Sequence, residues 1–191
     1  MLRHDQLDVD RSMVLLIDVQ EKLLPLVVGA EQLITTGRKL LDAARLFELP
    51  VLVTEQYPRG LGPTHRVLRE GLTEGRANVL EKPTFSAWAD AKVREALLTL
   101  DRPQIIVAGI ETHVCVQQTA LDLASRDYEV FICADACGAR GRIDHEIALE
   151  RMRQAGVRVT TVESVLFELC GRCDAPRFKA MLEIIKRYPP A

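Results

Sequence analysis

The chain has 191 residues, a length that suits one domain with a well-buried core, because chains of about 150 to 200 residues hide roughly 70 % of the surface that they expose when unfolded. Its 25 lysines and arginines against 27 acidic residues give a formal net charge of −2, and neither sign forms a run, which argues against a nucleic-acid-binding face. The 5 cysteines, an odd number, argue against a disulfide framework and favour a reducing compartment.

The beginning of the chain, MLRHDQLDVDRS, is too polar for a signal peptide. The first apolar run, residues 13–17, is far shorter than the roughly 18 residues that a membrane-spanning helix needs. No repeat, linker or shift in composition interrupts the chain. We therefore expect a single domain over residues 1–191, located in the cytoplasm and without a membrane partner.

Six short apolar runs of strand length recur along the chain. They occupy residues 13–18, 51–55, 78–82, 105–110, 130–135 and 157–163. Between them lie stretches of helical period, for example 31–48 and 144–155. Strands that alternate with helices predict a parallel sheet with helices on both faces, and nearly continuous apolar strands fit a sheet whose two faces are buried. We predict an α/β fold.

Three chemically distinctive residues stand where predicted strands end. Asp18 closes the first strand, Lys82 closes the third, and Cys115 follows the fourth after a short turn. Ligands of open parallel sheets bind beyond the carboxyl ends of the strands. Each residue alone has an ordinary explanation, as a helix cap, a solvated lysine or a buried cysteine. Together they supply a base, a cation and a nucleophile, which nucleophilic catalysis requires.

The residues around Cys115 favour a reactive thiol. Thr112 is a good candidate for the N-cap of the helix that follows, which places Cys115 at its third position. Free backbone N–H groups and the positive end of the helix dipole favour a thiolate there. The same N–H groups are suited to hold an oxyanion.

Three motifs together carry a family resemblance. LLIDVQEKLLP, EKPTFSAW and GIETHVCVQQTALDL stand in this order, and their spacing resembles that of the isochorismatase-like cysteine hydrolases. A fourth segment, TEQYPRGLGPT, narrows the resemblance to the branch of isochorismatase domain-containing proteins. The resemblance extends from about Met13 to the last predicted strand.

The resemblance implies a Rossmann-like three-layer fold with strand order 3-2-1-4-5-6, and a catalytic triad of Asp18, Lys82 and Cys115. It also implies a cis peptide bond between Ile110 and Glu111. On this basis we expect the backbone N–H groups of Glu111 and Cys115 to form the oxyanion hole.

The sequence departs from one branch of that superfamily at its metal site. Nicotinamidases carry an aspartate and two histidines shortly after the second strand, whereas this chain has TEQYPRGLGPTH there and no Asp-x-His. His65 is alone in the region, and zinc normally takes three or four protein ligands. We predict no metal and no cofactor.

Six residues are our candidates for contact with a small-molecule substrate. They are Gln20, Gln56, Tyr57, Phe85, Trp88 and Thr112. Binding pockets are mostly apolar with a few polar groups, which favours the two large aromatic residues after Lys82. Core packing is the alternative for Phe85 and Trp88, and an ordinary loop position is the alternative for Gln56 and Tyr57.

Cys170 and Cys173 form the motif CGRC near the end of the chain. Thioredoxin-like redox pairs stand instead at the start of a helix that follows an early strand. We interpret this pair as incidental.

We also expect a homo-oligomer, a dimer or a multiple of dimers, because two-fold dimers are the commonest assemblies and members of the resembled family usually associate. The segment 175–190 adds an apolar stripe. The stripe consists of Phe178, Met181, Leu182, Ile184 and Ile185 at helical spacing. The alternative is that this stripe packs on its own domain.

Three functions are compatible with these residues. The first is a cysteine hydrolase that cleaves a small amide through a thioester, with Asp18 taking the thiol proton and Lys82 lowering the thiol pKa. The second is hydrolysis of the vinyl ether of isochorismate, in which an aspartate acts as general acid and no thiol is needed; Cys115 argues against it. The third is a non-catalytic scaffold, which the intact triad argues against.

Overall fold

A computed structural model describes residues 6–72 and 77–189. The six strands within these residues form one sheet in which every neighbouring pair is parallel. They are β1 Ser12–Ile17, β2 Val51–Gln56, β3 Ala77–Lys82, β4 Gln104–Ile110, β5 Glu129–Gly138 and β6 Arg158–Thr160. The strand order β3-β2-β1-β4-β5-β6 confirms the predicted topology.

Eight helices connect these strands or follow them in the described part of the chain. They are α1 Ala30–Phe47, α2 Pro58–Leu61, α3 Arg66–Arg69, α4 Ala91–Leu100, α5 Gln117–Ala124, α6 Arg142–Gln154, α7 Val162–Cys170 and α8 Phe178–Arg187. Helices α1, α7 and α8 contribute to the core on one face of the sheet, and α4, α5 and α6 contribute to the core on the other. None of the helices in residues 6–72 and 77–189 combines the length and apolar composition needed to cross a bilayer.

The centre of the sheet is buried on both faces. All residues of β1 and β4 are buried. Alternate residues of β1 point to opposite faces of the sheet. Val14 and Leu16 pack in the core under α1. Met13, Leu15 and Ile17 pack in the core under α4, α5 and α6. This explains why the strands read as continuous apolar runs.

Gly109 lets β4 approach β1 closely at their carboxyl ends. Its φ is +141°, and a Cβ built there would overlap the backbone carbonyl of Ile17. A residue with a side chain would push the two strands apart at this point. Asp18 follows directly, so this close approach helps to set the geometry of the strand ends.

The last strand is shorter than the predicted run 157–163. β6 ends at Thr160 because Thr161 caps α7, its side chain accepting a hydrogen bond from the backbone N–H of Ser164. The polar residues of the predicted run therefore begin a helix.

The apolar stripe of α8 is covered within the chain. Met181 and Ile184 are buried, and the other three apolar residues of the stripe pack against the same core. Tyr188 at the end of α8 donates a hydrogen bond to Asp42 of α1 over 2.8 Å. The alternative reading, in which α8 packs on its own domain, is therefore the one the structure supports.

Candidate active site

Asp18 and Lys82 meet at the carboxyl edge of the sheet although one strand separates them. Asp18 follows β1 with φ +53°, and Lys82 is the last residue of β3. Strands lie about 4.8 Å apart, so β2 leaves roughly 10 Å between the two backbones. The long side chain of Lys82 spans this gap, and its Nζ lies 2.7 Å from Asp18 Oδ2.

The ion pair is completely buried, since both side chains are 0 % exposed. Buried charges persist only where their remaining hydrogen-bonding groups are also satisfied. Lys82 Nζ donates to Gln56 Oε1 over 2.9 Å and to the backbone carbonyls of Thr84 and Phe85 over 3.0 and 3.2 Å. An ammonium has three N–H groups, so these acceptors and Asp18 use all of them.

Thr54 fixes the other oxygen of the Asp18 carboxylate. Its hydroxyl, on β2, donates to Asp18 Oδ1 over 2.7 Å. Each carboxylate oxygen therefore has one fixed donor and keeps a free lone pair. A carboxylate held in this way is able to accept a proton from a neighbouring thiol.

Cys115 lies in a π-helical turn, Thr112–Val116, between β4 and α5. Burial and, next, the negative charge of Asp18 raise the pKa of Cys115 from 9.0 to about 12, while the charge of Lys82 lowers it. The structure thus brings the three predicted residues together. The predicted ground-state thiolate is wrong, because burial and the charge of Asp18 outweigh the charge of Lys82.

Thr112 is not the predicted N-cap. The residue before the turn is Glu111, and it makes no side-chain capping bond. Thr112 is fully buried, and its Oγ1 lies 2.9 Å from Nδ1 of His145 on α6. Desolvation lowers the pKa of His145, so its ring is neutral near pH 7. Thr112 and His145 therefore tie the nucleophile's turn to α6.

Glu111 holds the neighbouring loop after β5. The peptide bond between Ile110 and Glu111 is cis, as the resemblance implied. The carboxylate of Glu111 accepts hydrogen bonds from the backbone N–H and the Nε of Arg140 over 3.1 and 2.9 Å. The side chain of Glu111 thus serves as a loop anchor, and its backbone N–H remains our candidate for the oxyanion hole.

Gln20 anchors the loop after β2, and the prediction that it contacts substrate is corrected. Its side chain is buried and is bonded to backbone groups at both ends of the loop, accepting from Gln56 N over 2.8 Å and donating to the carbonyls of Gln56 and Gly62 over 3.0 and 2.5 Å. Glu55 completes the anchor by accepting from the N–H and hydroxyl of Thr64 over 2.6 and 2.7 Å.

The two candidates on this loop are placed differently. Gln56 lies in the site, but both ends of its amide are used, by Lys82 Nζ and by the carbonyl of Pro83, which accepts over 2.9 Å. Tyr57 is 62 % exposed, with its ring over Gly60. It lines a cleft of about 380 Å³ that Lys82, Pro83 and Asp90 also line. Gln56 therefore orients Lys82, and Tyr57 lies at the outer wall of a cleft that Lys82 borders.

The two aromatic candidates after Lys82, Phe85 and Trp88, lie in different surroundings. Phe85 is 55 % exposed and its carbonyl accepts from Lys82, which places its backbone against the triad. Trp88 packs edge-to-face on Tyr128, with ring centroids 5.7 Å apart, and beneath Arg126 at 5.2 Å. Both partners follow the far end of α5 from Cys115, so the predicted role of Trp88 in the pocket is corrected to core packing.

His145, Glu55 and Thr54 are the site residues that the sequence interpretation missed. His145 is 33 positions from Thr112, and no local pattern links the two. In the described ranges, no cluster of three or more His, Cys, Asp or Glu residues is placed to hold a metal ion. The absence of a metal stays a prediction.

A family model and a curated relative both match the chain and point to the same family. The model of the isochorismatase domain matches residues 12–164. Isochorismatase domain-containing protein 2 of Xenopus laevis is 40 % identical over 185 residues, covering 95 % of this chain and 87 % of the relative.

Solved structures resemble the chain over nearly its whole length. The MAR1 ribonuclease of Caenorhabditis elegans has a TM-score of 0.90 at 36 % identity, covering 97 % of this chain and 95 % of that one. YcaC of Pseudomonas aeruginosa, with hexane-2,5-diol and covalent acrylamide, has a TM-score of 0.89 at 28 % identity over 98 % and 96 % of the two chains. The YcaC gene product of Escherichia coli, described as an octameric hydrolase of unknown specificity, has a TM-score of 0.91 at 29 % identity over 100 % and 94 %. The chain belongs to the isochorismatase family.

Proposed function

We propose that the protein is a metal-independent cysteine hydrolase that cleaves a small amide through a thioester intermediate. One observation carries the proposal: Cys115 lies beside a fully buried Asp18–Lys82 ion pair whose Nζ–Oδ2 distance is 2.7 Å. A nucleophile, a base and a fixed cation are the groups that covalent acyl transfer requires.

The first half of the reaction forms the thioester. Because the pKa of Cys115 is raised to about 12, the thiol carries its proton in the free enzyme. Asp18 accepts that proton as Sγ attacks the amide carbon, and the carbonyl electron pair moves to oxygen. The N–H groups of Glu111 and Cys115 hold the oxyanion. When the oxyanion collapses, the C–N bond breaks and Asp18 returns the proton to the leaving amine.

The second half regenerates the enzyme. Asp18 takes a proton from water, the hydroxide oxygen attacks the thioester carbon, and a second oxyanion forms in the same place. Its collapse breaks the C–S bond, and the Cys115 thiolate recovers the proton from Asp18. The sum is amide plus water giving carboxylic acid plus amine.

Lys82 acts in this scheme as a fixed charge. Its ammonium protons are directed at Asp18, Gln56 and two backbone carbonyls, which leaves none to bind substrate. Its positive charge stabilises negative charge on Cys115 as the thiol proton leaves, consistent with its lowering of the Cys115 pKa.

The charges of the site favour a neutral substrate. Asp18 and Lys82 neutralise one another, and the carboxylate of Glu111 is paired with Arg140. Cys115 is only 5 % exposed, so a small acyl group is favoured over a large one.

Vinyl ether hydrolysis of isochorismate fits the site less well. That reaction needs an aspartic acid that carries a proton and delivers it to carbon. In this site the carboxylate of Asp18 instead accepts hydrogen bonds from the ammonium of Lys82 over 2.7 Å and from the hydroxyl of Thr54. The ion pair therefore suits a base better than an acid.

RNA hydrolysis is the competing function that the solved relatives raise, since one of them is a MAR1 ribonuclease. The net charge of −2 and the absence of a basic run in the sequence weigh against an RNA substrate. We propose a small-molecule substrate and no nucleic-acid partner. Incubation with single-stranded and duplex RNA, with the Cys115→Ala variant as the blank, tests this directly.

The cysteines and one solved relative support a proposal on cellular location and assembly. We place the protein in the cytoplasm as a homo-oligomer, because all 5 cysteines are unpaired and the similar E. coli protein is octameric.

The decisive experiment is a screen of small neutral amides with release of ammonia or amine as the readout. The wild-type protein is expected to release amine and to carry an acyl mass on Cys115 when the reaction is quenched in acid. Cys173→Ala, which removes an exposed thiol, is the matched control and is expected to behave as wild type. Turnover by Cys115→Ala, or an acyl group on another residue, would overturn the proposal. Failure of every amide to react would favour a non-catalytic role.

A further inference from the structure

The loop that follows Lys82 supplies part of the binding site of its ammonium. The backbone carbonyls of Thr84 and Phe85 both accept hydrogen bonds from Lys82 Nζ. Residues 83–88 consist of bends and turns, so the position of these carbonyls depends on side-chain contacts rather than on a helix or a strand ladder. We call residues 83–88 the lysine loop.

Helix α5 holds the lysine loop through two side chains that stand about one turn apart. The backbone N–H of Ala87 donates to Thr119 Oγ1 over 2.9 Å, and the hydroxyl of Ser86 donates to Asp122 Oδ2 over 2.6 Å. Ala87 and Thr119 are both fully buried. A buried backbone N–H needs an acceptor, so loss of the Thr119 hydroxyl would leave this N–H unsatisfied.

A third contact lies at the surface. The guanidinium of Arg126, just beyond α5, lies 5.2 Å from the centre of the Trp88 ring, and its Nη1 is 3.2 Å from Asp122 Oδ1. The side chain of Arg126 is 42 % exposed, and exposed cation–π contacts and ion pairs contribute little. The buried bond between Ala87 and Thr119 is therefore the main attachment of the loop.

The helix that holds the lysine loop also follows directly from the nucleophile's turn. Cys115 lies in the turn that leads into α5, and Thr119 stands about one helical turn further along the chain. Cys115 and Ala87 belong to the same buried core. The position of the thiol and the position of the loop are thus both set by the first part of α5.

We propose that Thr119 is a positioning residue for the Lys82–Cys115 pair. By accepting from the N–H of Ala87, it fixes the loop whose carbonyls orient the ammonium, and so keeps that charge in place beside the thiol. The proposal rests on the proposed role of Lys82 as a fixed charge. Such a charge stabilises a developing thiolate best when it needs no reorganisation as the thiol proton leaves.

Alkylation of Cys115 by iodoacetamide tests the proposal without any substrate. Thr119→Val keeps the shape of the side chain and removes the acceptor. Because the thiolate fraction falls tenfold for each unit that the pKa rises, this variant is expected to slow labelling at pH 9 by about threefold or more. Thr119→Ser keeps a hydroxyl and is expected to restore most of the wild-type rate.

The matched control makes the same substitution at another buried threonine. The hydroxyl of Thr36, on α1, donates to the carbonyl of Gln32 within its own helix. Thr36→Val is therefore expected to label Cys115 at the wild-type rate. Thermal unfolding of each preparation checks that the compared variants are folded at the labelling temperature.

A double-mutant cycle with Lys82→Met tests whether the effect passes through the lysine. In the Lys82→Met background, Thr119→Val is expected to leave the labelling rate of Cys115 nearly unchanged, because the ammonium that it positions is gone. Equal slowing in both backgrounds, or faster labelling of Thr119→Val than of the wild type, would overturn the proposal. If Thr119→Val does not fold, Ser86→Ala removes the neighbouring bond to Asp122 and is expected to give the same signs in the same cycle.

Steady-state kinetics on an amide from the screen give a second readout. Thr119→Val is expected to lower kcat by about threefold to tenfold at an unchanged KM, because Thr119 contacts the loop and acts only through the oriented charge. A rise in KM at unchanged kcat would overturn the proposal. If no amide reacts, the proposed hydrolase function fails, whereas the labelling cycle still decides the role of Thr119.

Discussion

Lys82 donates a hydrogen bond to Gln56 across 2.9 Å, so its buried ammonium is oriented by a neutral amide as well as by its carboxylate partner. The other end of that amide donates to the carbonyl of Pro83 and is thereby fixed. Thr54, two residues earlier on β2, holds Asp18 in the same manner. The strand between the two charged residues thus positions both of them.

Gln56→Met is therefore expected to lower kcat with little change in KM. The substitution removes a hydrogen bond to a charged group, a loss of about 1.5 to 3 kcal/mol, which corresponds to about 10- to 160-fold in kcat. Gln56→Glu keeps an acceptor for Lys82 and is expected to recover part of the loss. Steady-state kinetics on the best amide from the screen give both constants. A rise in KM at unchanged kcat would instead assign Gln56 to substrate binding.

Cys115→Ala is expected to reduce amide hydrolysis by about 10⁴-fold or more, because loss of a nucleophile removes the covalent route entirely. The small side chain suits the helical turn, so the melting temperature should stay close to that of the wild type. Kinetics and thermal unfolding of the same preparation provide the comparison. A variant that keeps substantial activity would indicate a reaction without a thiol.

Alkylation by iodoacetamide is expected to report the raised pKa of Cys115. The folded pKa of about 12 lies above the ordinary 9.0, so the thiol stays protonated through neutral pH and ionises only as the pH approaches the higher value. Labelling between pH 7 and 9, read by peptide mass spectrometry, should therefore be much slower at Cys115 than at the exposed Cys173. Lys82→Met removes the ammonium that lowers this pKa and should slow labelling further. Fast labelling of Cys115 that levels off near neutral pH would contradict the proposed protonation state.

Chelation is expected to leave the reaction unaffected. Nicotinamidase-like zinc binding needs ligands that the segment 55–66 does not supply, since it holds one histidine and no aspartate. Activity before and after dialysis against EDTA, together with elemental analysis of the purified protein, checks this. Stoichiometric zinc with loss of activity on chelation would show the expectation to be wrong.

Gln20→Ala is expected to destabilise the protein although it removes no catalytic group. The change leaves the N–H of Gln56 and two carbonyls of the loop without their buried partner. Each unsatisfied buried group costs about 1 to 3 kcal/mol, so the free energy of unfolding should fall by at least that amount. Urea unfolding measures it, and Gln118→Ala at an exposed position of α5 is the control. An unchanged stability would return Gln20 to the list of substrate contacts.

The strand ends were the predictable part of the site. Asp18 and Cys115 follow strongly apolar runs and Lys82 ends the more polar run 78–82, and the topology of a parallel sheet requires such ends to lie on one edge. The strand order came from the family motifs rather than from the apolar pattern. The pattern alone does not distinguish which strands are neighbours.

The other features of the site depend on tertiary contacts, and such contacts produce no recognisable sequence pattern. Gln20 and Glu55 bind backbone groups of a loop, and such bonds form with many side chains in many places. The ring of Trp88 packs on Tyr128, which lies 40 positions away in the sequence. The sign of the Cys115 pKa shift was missed because burial is set by the packed structure, whereas the helix terminus is visible in the sequence.

Lys82 belongs to a strand at the border of the sheet, and this has a consequence for how the proposed activity would be lost. Among the residues that the structure describes, β3 pairs with β2 alone, and several of its residues are exposed. Because side chains alternate between faces, a shift of β3 by one residue would turn the lysine away from Asp18. Border strands detach more readily than central ones. Partial opening of this edge would therefore separate Lys82 from Asp18. Cys115 would lose the nearby positive charge while the rest of the domain is still folded.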